Sequence, residues 1–525
     1  MLRNIQSRFS FIVPLSGSIA LFAMLFTATR YGLGLSPDST AYVKAADGLL
    51  KGYGWAFASV QWPPLYSLVL AIFGFPFGGN VFFGARLLHA LLIAINFILI
   101  ARLLMQYATF RPLVSYVLAF LISLHEVLLW VDFYVWSEPL LIIFVLLDLL
   151  LIRVLLVKQS SKIDVIELGL IGLAIMAVMT RYIGINVALI NMVVVFALTK
   201  SSNIWIKLIR SGCQVVVPAI LMMLWLSGHQ AIDDNSAIVR TLQYPEINTA
   251  KFVIGLENFG RWLYPSSSKF PGLIPDGLLM ATGLALLLAI LLSVAPFVRL
   301  LLPNSLKEQC LNTRSNRSKI LRGCAGVFII FYLSFLAFIM CCYDKKVFFD
   351  NRFLSPIFIP TLLIVLGSIP SLSWKWLKNS LIFLSIIILS CTYFYLRAWL
   401  LINYFDGVEI NSRSNINKAV YAKTKAYPPT CQVYADEPWN IVLYFDTKVR
   451  WLPRQILFGT GFVNSAYESE VQAMKGDAQI VLIEKRDDPL VATLDSSLDF
   501  ERVYEGVDGL VWVNRTIDQS VCIKK

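Results

Sequence analysis

The stretch "GLSPDSTAYVKAADGLLKGYGW" (residues 34–55) begins just after the first strongly apolar run of the chain ends. It carries an acid, Asp38, and then Tyr42, Ala45, Ala46, Leu49 and Leu50 at helical spacing, so a short amphipathic helix is expected directly after a hydrophobic one. Either Ser36 or Asp38 is able to cap that helix. Two roles are therefore open for Asp38: a helix cap, or a carboxylate at a membrane surface that takes a proton from an acceptor hydroxyl.

Working outward, the solvent for most of the chain is lipid. Of 525 residues, 57% are hydrophobic and 15% charged, with a mean hydropathy of +0.69; soluble domains carry about 25% charged residues. Helices of roughly 20 apolar residues cross a bilayer. Eleven such runs stand out, at 10–29, 82–105, 112–131, 136–157, 164–181, 183–199, 211–228, 277–301, 323–342, 354–370 and 379–401. Pro64–Gly78 is too short to span and is bracketed by Pro63-Pro64 and Pro76, which suits a helix lying in the interface. The expected fold is a polytopic α-helical membrane protein of about eleven transmembrane helices. A membrane domain covers 1–401, with an outer loop of interfacial helices at 30–81, and a small α/β domain covers 402–525.

The net charge of +12 does not form a nucleic-acid surface, because Lys and Arg gather in short segments between the apolar runs. Arg3 and Arg8; Arg102 and Arg111; Arg153, Lys158 and Lys162; Lys200, Lys207 and Arg210; Lys307 to Arg322; and Lys375 and Lys378 fall on alternate sides of the spans. The positive-inside rule then puts the N-terminus in the cytoplasm and residues 30–81, 132–135, 229–276, 343–353 and 402–525 on the other face of a cell (inner) membrane. The first 30 residues read as an uncleaved helix, since the apolar run is too long for a signal peptide.

After Tyr404 the pattern changes. "CQVYAD" (431–436), "KVRWLP", "AQIVLIEK" (478–485) and "GLVWVN" (509–514) alternate like strands, while "EPWNIVLYF" and "SAYESEVQAMKG" read as helices. Cys431 and Cys522 of this domain either pair in an oxidising compartment or remain thiols. There is no C-x-x-C, and His89, His125 and His229 lack metal-ligand spacing, so no structural zinc site is expected.

Charges beside the apolar runs are the functional suspects. Glu138, in "YVWSEPLL", opens a span; it serves either the helix dipole or a site. Arg181, in "MTRYIGIN", lies between two runs and needs a partner, either Glu138 or a lipid-linked phosphate. Arg352 stands at the first turn of a span, after Lys345 and Lys346, which suit headgroups. Arg86, in "GARLLHA", is an interface anchor or a second phosphate ligand.

Taken in order, these segments resemble the C-type (GT-C) membrane glycosyltransferases that use polyprenyl-phosphate sugars, the superfamily of protein mannosyltransferases and aminoarabinose transferases. "PDSTAYVKAADGLLKGYGW" resembles their first outer loop, and "WPPLYSLVLAIFG" the proline-led interfacial helix that follows. "GARLLHALL", "YVWSEPLLIIFVL", "MTRYIGI" and "VYADEPWNIVLYFDTKVRWLP" resemble their later segments. The resemblance implies transfer of a sugar by single displacement, with Asp38 and Glu138 as catalytic residues and Asp38 as the base. It implies Arg86, Arg181, Tyr182, Arg352 and Tyr42 at the substrate, no cofactor, and a cell-envelope lipid, glycan or protein as acceptor. Ser39 stands where the mannosyltransferases carry the second acid of an Asp-Glu pair, so the resemblance fixes neither sugar nor acceptor. No divalent metal is expected. The alternative is a transporter or flippase of lipid-linked glycan, which calls for internal repeats that the sequence does not show.

Overall fold

The computed structural model describes residues 2–59, 61–107, 110–158, 165–200, 203–229, 249–264, 274–301, 313–342, 349–369, 375–390, 392–407, 412, 417–445, 449–455, 463–485 and 487–517. The chain divides into two compact units. The first holds 1–28, 59–69 and 85–401; the second holds 29–58, 70–84 and 402–525.

The first unit is helical. Its helices are α1 (Leu2–Ala28), α4 (Val81–Tyr107), α5 (Pro112–Ser123), α6 (Glu126–Asp132), α7 (Glu138–Lys158), α8 (Val165–Thr180) and α9 (Ile185–Leu198). They continue as α10 (Ile204–His229), α11 (Thr249–Arg261), α12 (Asp276–Val298), α13 (Arg314–Cys342), α14 (Asn351–Ser368), α15 (Lys375–Ser390) and α16 (Thr392–Phe405). Two further helices, α2 (Pro37–Leu50) and α3 (Leu65–Gly74), come from the loop after α1. Among the described residues six helices are long and apolar enough to cross a membrane, or seven if α5 and α6 count as one bent span, so the chain is a multi-pass membrane protein.

Helix occupies most of the described residues of each expected apolar run, and those of 379–401 fall in two helices, α15 and α16. The run 112–131 is not one rod: α5 and α6 meet at 59°. His125 is the cause. Its Nδ1 accepts from the backbone N–H of Val127 at 3.3 Å and so caps a new helix in mid-run. With Nδ1 accepting, Nε2 carries the proton and donates to the carbonyl of Trp262 at 3.2 Å. His89 works similarly, joining Tyr66 Oη (2.6 Å) to the carbonyl of Asp132 (2.9 Å). Two further buried pairs are Glu167 with Arg210, and Asn191 Nδ2 donating to Asp148 Oδ1 at 2.8 Å.

The C-terminal part of the second unit is a five-stranded sheet of order β2-β1-β3-β5-β4, with β1 (Val433–Ala435), β2 (Arg450–Trp451), β3 (Ile480–Ile483), β4 (Phe500–Gly506) and β5 (Gly509–Asn514). The first three strands run parallel; β5 is antiparallel to β3 and β4. Period-two alternation divides the buried residues between two cores. Tyr434, Val481, Ile483, Leu510 and Trp512 face one, with α18 (Tyr467–Asp477) and α19 (Leu490–Asp495). Val433, Ala435, Ile480, Leu482 and Val511 face the other, with Val420 and Tyr421 of α17 (Ala419–Lys425). Burial and the hydrogen bond to Glu484 push the Tyr421 phenol up.

"EPWNIVLYF" is not a helix but two 3-10 turns, Pro438–Asn440 and Val442–Tyr444. Between them Ile441, at φ −122° and ψ −12°, is neither helical nor extended. Cys431 is disulfide-bonded, while Cys522 lies outside the described residues.

Candidate active site

Glu138 lies in the first turn of α7, where the helix dipole favours an acid, but it is only 1% exposed. A carboxylate buried so deeply needs cations. Arg352 Nε donates to Glu138 Oε1 at 2.6 Å, and Arg181 forms an ion pair with the same oxygen. Oε2 makes no hydrogen bond among the described residues. Two guanidiniums thus converge on one directly bonded carboxylate. Asp350 adds a second acid to the surroundings of Arg352.

The local sequence explains how each arginine is held. Asp350 caps α14, its Oδ1 accepting from the backbone N–H of Phe353 at 2.9 Å, which places Arg352 in the first turn. Pro356 has no N–H to give the Arg352 carbonyl, and the Ser355 hydroxyl donates to it instead at 2.8 Å. Tyr332 Oη donates to the Phe353 carbonyl at 2.6 Å. The Arg352 guanidinium lies 4.2 Å over the Trp136 ring, and Trp136 stacks on Tyr134 at 4.4 Å.

Arg181 sits where α8 ends. Its backbone is extended (φ −153°), and the turn Tyr182–Gly184 leads into α9. Here a glycine is required by space: a Cβ on Gly184 would stand 2.3 Å from the carbonyl of Ala177. We expect Gly184→Ala to push α8 and α9 apart, lowering stability by about 1–3 kcal/mol as overpacking does and moving Arg181 off Glu138. Thermal unfolding in detergent measures the first effect, and the loss of the Arg181–Glu138 contact in a structure of the variant the second.

α11 comes against the same region. Asn258 Nδ2 donates to the Phe349 carbonyl at 2.7 Å and Trp262 Nε1 to Asn351 Oδ1 at 3.2 Å. Trp262 meets Phe358 edge-on at 5.2 Å, and His125 lies 4.5 Å from the same ring.

The other expected site residues lie as follows. Tyr182 opens the turn after Arg181 and is half-buried. Arg86 donates from Nη2 to the Phe26 carbonyl at 2.9 Å and lies 4.5 Å over that ring, so it ties α4 to the last turn of α1. Asp38 and Tyr42 belong to the second unit. Ser36, not Asp38, caps α2; its side chain accepts from the Ser39 N–H at 3.4 Å, Pro37 follows, and Asp38 is half-buried in the first turn. Tyr42 is buried. Lys345 and Lys346 lie outside the described residues. Among the described residues no three His, Cys, Asp or Glu side chains gather as a metal site.

Sequence reading missed Asp350, Trp136 and Tyr332. Asp350, just ahead of Asn351 and Arg352, carried a readable capping signal; Trp136 and Tyr332 look like any aromatic in an apolar run.

The chain combines a multi-helix membrane unit with a small C-terminal sheet domain, a fold it shares with two solved proteins. ArnT from Cupriavidus metallidurans in the apo state matches over 97% of this chain and 98% of its own, at 12% identity and a TM-score of 0.59. Its structure bound to undecaprenyl phosphate matches over 96% and 97%, at 12% identity and a TM-score of 0.53. The Archaeoglobus fulgidus oligosaccharyltransferase, in a complex with Zn and sulfate, matches over 96% of this chain and 73% of its own, at 10% identity and a TM-score of 0.51. By sequence, no protein-family model and no curated protein matches the chain.

Proposed function

We propose that the protein is a membrane glycosyltransferase that moves a sugar from a polyprenyl-phosphate donor to a cell-envelope lipid, glycan or protein on the non-cytoplasmic face. The observation that carries this reading is the pair Arg181 and Arg352, converging on Glu138 inside a fold shared with ArnT, which has been determined with undecaprenyl phosphate.

The chemistry is a single displacement. The acceptor oxygen attacks the anomeric carbon, the bond from that carbon to the phosphate oxygen breaks, and the polyprenyl phosphate leaves with the electron pair. Asp38 takes the acceptor proton. Negative charge grows on the phosphate as it leaves, and two preorganised guanidiniums are suited to receive it. In this reading Glu138 fixes the two arginines, Tyr182 lines the donor site beside Arg181, and Arg86 holds α1. Tyr42 anchors the helix of Asp38.

The deciding experiment incubates the purified full-length protein, in nanodiscs, with a panel of undecaprenyl-phosphate-linked hexoses and pentoses and envelope acceptors. Release of undecaprenyl phosphate with formation of a glycosylated acceptor is expected. Intact passage of the lipid-linked sugar between leaflets with no release overturns the reading in favour of a flippase. Arg181→Ala is expected to raise the donor KM by roughly 10–100-fold, the loss of about one charge-assisted hydrogen bond. An unchanged donor KM removes Arg181 from the phosphate. Because guanidinium charge serves the leaving group, we propose metal independence: a chelator leaves turnover unchanged. Loss with the chelator and recovery with a divalent cation refutes that.

A further inference from the structure

Residues 29–58 share a compact unit with the C-terminal domain, and specific chemistry joins them. In the order β2-β1-β3 the chain leaves β1 to one side and returns to the other, so the carboxyl ends of β1 and β3 form a switch point, where open α/β sheets commonly bind ligands. Asp436 and Glu484 follow those two strands. Both are already engaged. Asp436 accepts from the backbone N–H groups of Glu484 and Lys485 at 3.0 Å, and burial pushes its carboxyl up. Glu484 accepts from Tyr421 at 2.7 Å, Asn440 at 2.6 Å and Lys418 at 3.0 Å.

The turns that follow β1, Pro438–Asn440 and Val442–Tyr444, pack on α2. From α2, the buried Lys44 donates Nζ to the carbonyl of Phe445, whose ring belongs to the core with Val433, Ala435 and Leu482. The same ammonium lies 4.7 Å over the Phe57 ring. One turn on, Gly48 makes room for that ring, since a Cβ there would stand 2.8 Å from Phe57 Cδ2. A buried ammonium is costly unless bonded, so this contact fixes the helix rather than merely filling space. Asp38 stands on the same helix, a turn and a half earlier.

We propose that Lys44 is a positioning residue: its bond to the Phe445 carbonyl ties the helix carrying Asp38 to the C-terminal domain and sets where that carboxylate stands. The proposal rests on Asp38 being the base.

The test uses the full-length protein in nanodiscs with the undecaprenyl-phosphate sugar that turns over in the panel above. Lys44→Met keeps the stem and removes the donor. Its kcat is expected to fall roughly 100-fold, as for a misplaced catalytic group, with donor KM unchanged. Lys44→Arg, still a donor, is expected to recover most of kcat. Hydrogen exchange in residues 37–50 should rise in Lys44→Met while residues 351–368 keep their protection. An unchanged kcat in Lys44→Met overturns the proposal, and so does an equal loss in both variants. Should Lys44→Met fail to insert, Lys44→Leu, which also lacks the donor, replaces it; a fall in kcat with donor KM unchanged supports the proposal and no fall overturns it. Asp38→Asn is assayed alongside. Its full activity sinks the base, and the tether with it, whereas an inactive Asp38→Asn beside a fully active Lys44→Met sinks the tether alone.

Discussion

Asp38→Asn is expected to insert and fold normally while sugar transfer falls by roughly 10²–10⁴-fold, the usual contribution of a positioned base. The substitution leaves the start of α2 in place. The cap of α2 belongs to Ser36, with Pro37 next, so the helix keeps its start when the charge at 38 goes. Asp38 is half-buried, and asparagine has the same shape. Any helix-dipole contribution is only about 0.3–1 kcal/mol, far too small to explain a loss of that size. The measurement is released undecaprenyl phosphate per mole of inserted protein, beside a melting curve. Normal turnover by the variant would falsify the base; a collapsed melting curve would instead show that the carboxylate is structural.

Much of the architecture was legible because lipid imposes a coarse rule: about 20 apolar residues per crossing. The bend between α5 and α6 was not, since it turns on one histidine capping a helix inside an apolar run. Strands β1, β2, β3 and β5 were readable as short apolar or alternating stretches, whereas β4, exposed along much of one side and irregular between Arg502 and Tyr504, was not. Lone charges in apolar surroundings singled out Glu138, Arg181 and Arg352, which the structure brings into contact. Their meeting was less readable, because Glu138 and Arg352 are 214 residues apart. Arg86 gave the same signal, and its bond to the Phe26 carbonyl was not readable, since a lone charge does not reveal what stands opposite it. Lys44 was hidden differently. On an amphipathic helix a lysine reads as solvated surface, yet here it is buried against a carbonyl supplied about four hundred residues later.

The second large effect is expected at Glu138. Glu138→Gln leaves the side chain nearly the same size but takes away the negative charge that holds Arg181 and Arg352 together. Breaking a buried pair in this way costs about 3–5 kcal/mol, because the remaining charges stay desolvated and uncompensated. Here two cations are left facing each other, so the arginines should separate, and the donor site with them. Melting in detergent should fall sharply, and transfer should be lost even in molecules that stay folded. A double-mutant cycle isolates the electrostatic part: Arg181→Met added to Glu138→Gln removes one of the opposed charges and should cost less than the sum of the single losses. Additivity, or a Glu138→Gln protein as stable and active as the parent, would show that the carboxylate does not organise the two guanidiniums. The donor phosphate itself should act in place of the missing charge. Undecaprenyl phosphate is therefore expected to raise the melting temperature of Glu138→Gln more than that of the parent, because a dianion entering between two unpaired guanidiniums relieves their repulsion as well as binding them.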